Sequence, residues 1–180
     1  MATTEQDIAT AQHAVAQDLQ VADGDVKVRA VPVAAPGLTI FLASVNPGKA
    51  GRHASRTGVV DGSAVLTEAA AMARVARAWG YGAHRTVPPA TVAQAFAALH
   101  NATAESSAIL DADTAKTYQQ VSGPKRAAAV ALPAETTVDG LPAVVYCLTS
   151  SARGTPFSVV TAVIKPDFTV ELHVAPVRED

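Results

Sequence analysis

The chain has 180 residues, of which 49% are hydrophobic and 17% charged, with a formal net charge of −2 and a pI near 6.2. Disorder is excluded, because a disordered chain combines low hydrophobicity with high net charge; broad nucleic-acid affinity is also excluded, because it needs clustered Lys and Arg to neutralise phosphates. The single cysteine, Cys147, allows no internal disulfide, and a reducing compartment is the simpler expectation.

No apolar run approaches the roughly 20 residues needed to cross a bilayer, and the start Met-Ala-Thr-Thr-Glu-Gln-Asp lacks the basic and apolar regions of a secretory signal. The expectation is a soluble cytoplasmic protein, and the alanine-rich composition suggests a GC-rich bacterial source. The length fits one domain over 1–180. Aromatics are scarce at 4%, so the core must be built mainly from Val, Leu, Ile and Ala.

Residues 4–20 read as a first helix. Thr4 is placed to cap it, Asp7 follows at capping-box spacing, and Ile8, Ala11, Val15 and Leu19 recur at helical intervals as one narrow apolar stripe. Ala-Asp-Gly-Asp (22–25) ends it. A strand follows in which Val26 and Val28 alternate with Lys27 and Arg29. A second runs from Leu38 to Ser44 after a Pro36-Gly37 turn. Residues 46–56 read as a loop, 58–60 as a short strand and Asp61-Gly62 as a tight turn.

Thr67-Glu68 opens a second helix, with Met72, Ala73, Ala76 and Trp79 on its buried side and Gly80-Tyr81-Gly82 as its stop. Pro88-Pro89 starts a third helix, where Val92, Phe96 and Leu99 mark the apolar face, and His100-Asn101 ends it. The stretch 103–121 reads either as a weak helix around Asp113–Gln120 or as a surface loop. Gly123-Pro124 divides this helix/strand/helix half (1–122) from a β-meander over 123–176, with a frayed tail at 177–180.

The meander is punctuated by Asp139-Gly140, Arg153-Gly154-Thr155-Pro156 and Pro166-Asp167. Val144, Tyr146 and Leu148 point one way and Val145, Cys147 and Thr149 the other, and Phe157–Ile164 is apolar on both sides. Such strands are covered on both faces. The last strand alternates Phe168, Val170, Leu172 and Val174 with Thr169, Glu171 and His173, so one of its faces meets water.

Two clusters stand out as candidate contact sites. Lys49, Arg52, His53 and Arg56 gather cationic groups in one Gly-containing loop suited to an anion or an acidic partner. The same loop fails the phosphate-loop template, because Gly48-Lys49 is followed by Ala50 and position 43 is Ala. Its plain alternative is a solvated hairpin loop. Trp79, Tyr81, His84 and Arg85 form the densest aromatic and basic group, either an interface hot spot or a core lid at a helix end.

The remaining candidates read more simply as structure. His173 and Glu171 share a strand face and could pair, although a polar outer face explains both. Cys147 reads as core filler. Asp23-Gly-Asp25 and Asp111-Ala-Asp113 share the opening of a calcium loop but lack its later ligands, so they read as turn and cap chemistry. The histidines form no His-x-x-x-His pair. No cofactor, metal or catalytic set is expected.

The expected fold is α+β: an antiparallel sheet of about five to seven strands, two or three helices on one face, and a C-terminal meander. A homodimer through the remaining sheet face is expected, because two-sided apolar strands need cover from the chain or from a second copy. The functional expectation is a small binding or adaptor protein (accessory, immunity or chaperone-like) acting through a protein interface, with neither nucleic acid nor membrane as partner. The alternatives are a small-ligand carrier or enzyme with a pocket between sheet and helices, and a structural assembly subunit. A pocket lined by two or more of His53, His84, Glu171 and His173 would favour the carrier or enzyme.

Overall fold

Strands with apolar residues on both sides need cover on both sides, and this chain provides it by layering. The computed structural model describes residues 4–45, 55–81, 87–100, 106–150 and 157–179. In chain order these form helix α1 (Thr4–Leu19), a 3₁₀ turn (Asp23–Asp25), strands β1 (Val26–Ala30), β2 (Thr39–Val45), β3 (Ser55–Asp61) and β4 (Ala64–Thr67), and helices α2 (Glu68–Trp79) and α3 (Pro89–His100). Then come β5 (Ser106–Ala108), α4 (Ala112–Val121), α5 (Pro124–Ala129), β6 (Ala134–Val138), β7 (Leu141–Ser150), β8 (Phe157–Ile164) and β9 (Val170–Val177).

The class is α+β and the C-terminal strands form a meander. The strands do not lie in one sheet, however, but in two antiparallel ones. The first has the order β1-β2-β3-β4; in the second β7, β8 and β9 are neighbours, while β5 and β6 both pair with β7. Helices α2 and α3 lie between the sheets and touch both, so helices occupy more than one face.

The largest core cluster spans this sandwich. It joins Ile40 and Val59 of the first sheet, Met72, Val75 and Phe96 of the two helices, and Val144, Tyr146 and Val160 of the second sheet. On the outer face of the first sheet, Ala11, Val15 and Ala16 of α1 meet Val26, Phe41 and Val60. On the outer face of the second, α4 and α5 cover Cys147 and Phe157, and Tyr118 stacks on Phe157 at 5.4 Å. The two-sided strands behind the expectation of a dimer are thus covered within the chain.

Turn chemistry follows the residues. Asp139 and Gly140 both take positive φ, 50° and 78°, as the two central positions of a type I′ hairpin turn require. Gly80 caps α2 in the left-handed conformation. The ambiguous stretch resolves into β5 and α4, with the Asp111 side chain accepting from the Thr114 backbone N–H at 2.8 Å as the N-cap. The short helix α5 was not expected. Pro124 starts it at the first helical position, so the meander begins at Ala134 rather than directly after Gly123-Pro124. Asp7, expected in a capping box, accepts instead from the Thr39 hydroxyl at 2.6 Å and ties α1 to β2.

Val177 belongs to β9, and residues 178–179 run back past α5. The Glu179 carboxylate accepts from the backbone N–H groups of Arg126 (2.7 Å) and Lys125 (3.3 Å), and so caps α5. A Cβ at Gly123 would collide with that carboxylate. Beneath the same layer the Cys147 thiol donates to the Ala129 carbonyl and accepts from the Ala131 N–H, both at 3.3 Å. Burial raises its pKa, so it is packed and unreactive.

Two outcomes follow from these contacts. Gly58 lies in β3 opposite Phe41, and a Cβ there would strike the Leu66 carbonyl and meet the Phe41 ring at 2.9 Å. Gly58→Ala should cost about 2–4 kcal/mol in urea unfolding, whereas Gly24→Ala, with open space around it, should change stability by less than about 0.5 kcal/mol. Removing the Glu179 cap should loosen the α4–α5 layer locally. Glu179→Ala is expected to speed iodoacetamide alkylation of Cys147 by about tenfold, as loss of a cap implies, and an unchanged rate would show that the carboxylate does not hold the layer.

Candidate functional site

The outer face of the first sheet is incompletely covered. Four strands about 4.8 Å apart span about 14 Å from the first axis to the last, a little more than the 10–12 Å width of one helix. Helix α1 touches all four strands, β1 and β2 most closely, and on this face Val65 of β4 is only partly buried. A shallow groove of about 620 Å³ runs beside α1, between Gln6, Thr10 and Gln17 on the helix and Ser63 and Val65 on the β3–β4 hairpin.

This groove adjoins a cleft of about 580 Å³, with Ala14 and Val65 lining both. The cleft forms where β4 stops. Thr67 pairs with Gly58, and β3 begins three positions earlier at Ser55. The chain turns into α2 at Glu68, and the space left beside Ser55, Arg56 and Thr57 is walled by α1 on one side and by Leu99 and His100 of α3 on the other.

Five of its polar side chains come from four elements. Arg56 of β3 donates through Nε to Asp18 of α1 at 3.1 Å, an exposed pair contributing at most about 1 kcal/mol to stability. The buried Thr57 hydroxyl donates to the Leu99 carbonyl at 3.0 Å and ties β3 to the end of α3. Glu68 opens α2, where the positive end of the helix dipole favours its carboxylate. His100 is exposed at the end of α3, yet the neighbouring walls desolvate its ring enough to lower its pKa from the usual 6.5, so it is neutral near pH 7.

Of the cationic loop cluster, Arg56 lies in this cleft, while Lys49, Arg52 and His53 fall outside the described residues. Of the aromatic cluster, Trp79 and Tyr81 belong to the core, 3% and 8% exposed. Trp79 tilts against Phe96 at 6.0 Å and donates through Nε1 to the Ala34 carbonyl at 3.0 Å, so it closes the core rather than presenting a hot spot. Burial and then the charge of Glu135 push the Tyr81 hydroxyl up to about 12. His84 and Arg85 fall outside the described residues.

Glu171 and His173 do pair, at 3.1 Å, and Lys165 binds the other carboxylate oxygen at 2.8 Å. Hydrogen bonding by Lys165, followed by its charge, lowers the Glu171 pKa. Both members of the His173–Glu171 pair are at least half exposed on β9, which suits a polar outer face. Asp111 and the Asp23–Asp25 turn serve as cap and turn, and His13 pairs with Asp23 at 3.0 Å on the surface.

Among the described residues no group of three or more His, Cys, Asp or Glu could hold a metal ion, and no helix is long and apolar enough to cross a membrane. The Tyr146 hydroxyl is buried in the central core with no hydrogen-bond partner among the described residues, and burial raises its pKa. It belongs to the packing between the sheets, not to the cleft.

Comparison of the chain with known protein families, curated proteins and solved structures finds no match.

The His100 shift gives a test of the cleft geometry. Because its folded pKa lies below the unfolded value of 6.5, the unfolded state takes up a proton first as pH falls through that value, and stability is lost until the folded pKa is passed. An NMR titration of the His100 ring should give a midpoint below 6.5. His100→Asn should remove that part of the decline in stability on acidification.

Proposed function

We propose that this protein is a binding module that engages a partner protein through the groove and cleft beside α1. The observation that carries this reading is the uneven cover of the sheets. The inner faces share α2 and α3, the outer face of the second sheet has α4 and α5, and the outer face of the first has, among the described residues, α1 alone. The edge of that face at β4 is left partly open, where the groove and cleft are lined by polar side chains together with Val65 and, from α1, Val15 and Ala14. An apolar floor with a polar rim is the arrangement of a protein-binding surface.

Of the four residues that would favour an enzyme or ligand carrier, Glu171 and His173 do not line the cleft, and His53 and His84 fall outside the described residues. Within the cleft, the Arg56 guanidinium is engaged by Asp18 and the Thr57 hydroxyl by a backbone carbonyl. These groups act as walls and rim, and among the described lining residues no nucleophile is held by a base.

A photo-crosslinking amino acid placed at Ala14 or Val65, in the cells that make the protein, should give discrete adducts with a partner protein. The same group at Val121, exposed on α4 at 77%, should not. Adducts equal at all three positions, or absent at Ala14 and Val65, would sink the proposal.

A further inference from the structure

Strand β9, at one edge of the second sheet, carries a sequence that matches itself. We infer that β9 pairs antiparallel with β9 of a second copy about a two-fold axis at Leu172, joining the two second sheets edge to edge. This surface is separate from the groove beside α1, and the inference does not rest on the protein-binding reading of that groove.

The turn between β8 and β9 fixes which way the backbone points. The Lys165 N–H donates to the Thr169 carbonyl at 2.9 Å, which makes these two residues a hydrogen-bonded pair. The register then runs unbroken from Ile164↔Val170 to Phe157↔Val177, so hydrogen-bonded and non-hydrogen-bonded pairs alternate along it. The backbone groups of Glu171, His173 and Ala175 therefore turn toward β8, while those of Val170, Leu172 and Val174 turn toward the edge. Pro176, which has no N–H to offer, falls in the edge-facing set, where a strand tolerates proline. Among the described residues β9 has β8 as its one strand neighbour. Glu171 and residues 173–176 are exposed, and Val174 is one of the large apolar side chains left in water, at 43%.

Sheet edges are ordinarily guarded against pairing by cations or by shortness, and the other described edges follow that rule. Strand β1 carries Lys27 and Arg29, and the Gln12 side chain donates to its Val26 carbonyl at 3.0 Å. Strands β6, β4 and β5 have five, four and three residues. Strand β9 has eight residues and neither lysine nor arginine.

Its segment Val170-Glu171-Leu172-His173-Val174 is complementary to its own reverse. In the two-fold register Leu172 meets the partner's Leu172, Val170 meets the partner's Val174, and Glu171 meets the partner's His173. The edge-facing residues become the hydrogen-bonded pairs. Glu171 and His173 become non-hydrogen-bonded pairs, whose side chains lie closest. Within one chain Glu171 already accepts from Lys165 at 2.8 Å and pairs with His173 at 3.1 Å, so its carboxylate is set on the side that the partner's imidazole approaches. The valines and Leu172 continue the apolar row of the inner face, and pairing covers Val174. A slip of one position would turn the partner's apolar row to the wet face.

Sedimentation velocity of the purified chain, from micromolar to millimolar concentration, should show a monomer–dimer equilibrium. His173→Lys sets a fixed cation opposite the partner's Glu171 and should tighten the dimer. His173→Glu opposes two carboxylates and should weaken it. Each change should be about threefold to thirtyfold in dissociation constant, for two symmetric cross-strand pairs. Register is read by cysteine pairing. Glu171→Cys mixed with His173→Cys should form a disulfide-linked heterodimer under mild oxidation, because opposed residues lie about 4.5 Å apart at Cα. Neither variant should link to itself, because identical positions lie diagonally, about 7–8 Å apart. The native Cys147 is buried and does not compete. Thermal unfolding by circular dichroism confirms that each variant is folded.

A chain that stays monomeric throughout, a dimer indifferent to both His173 substitutions, or a His173→Cys variant that links to itself as fast as the mixture would overturn the inference.

Discussion

Helix α3 is squeezed between two sheets, and most of the structure depends on how it is filled. Val92, Ala93, Ala95, Phe96, Ala97 and Leu99 are all buried, which leaves little of the helix facing water. A helix with one apolar stripe would leave its other side unpacked, so this one is apolar nearly all round. The alanines keep it thin enough for both sheets to reach it, while Phe96 and Trp79 fill the wider spaces. Larger side chains at the alanine positions would force the layers apart, because interiors are packed to crystal-like density.

The outer layers are held by smaller means. Helix α1 rests on a narrow stripe and is tied to β2 through the Asp7–Thr39 hydrogen bond. The α4–α5 layer buries only a small cluster around Cys147 and Phe157, and its second helix depends on a carboxylate that arrives from the end of the chain. The Arg74–Asp61 pair, at 2.6 Å and part-buried, fastens α2 to the end of β3. Few buried apolar contacts and exposed polar ties mark the regions that open first, so stability is graded from the centre outward.

The groove is a consequence of the same layering. Where β4 gives way to α2, β3 runs on without it, and the gap is bordered by whatever the adjoining layers present. The result brings Asp18, Arg56, Glu68 and His100 into one cleft although they are far apart in sequence. Sequence motifs report chemistry only when the participating residues are close in the chain. Here each residue had a sufficient local explanation: a wet helix face, a loop cation, a first-turn acid and a helix end.

The sequence by itself determined the local structure. Helical spacing in residues 4–20 and 88–100, alternation in the last strand, and Gly or Asp-Gly at turns are written in short-range patterns, because backbone preferences and the apolar side of each element depend on near neighbours. The same patterns identified Cys147 as core filler and Asp111 as a cap. They could not reveal that the strands divide into two sheets, since a two-sided apolar strand specifies that it is covered but not by which element. Nor could they show that Trp79 reaches Ala34, that Glu179 caps α5, or that the β4 edge of one sheet face is left partly open. Those outcomes depend on contacts between residues tens of positions apart, and only the assembled layers decide which surfaces remain to be filled.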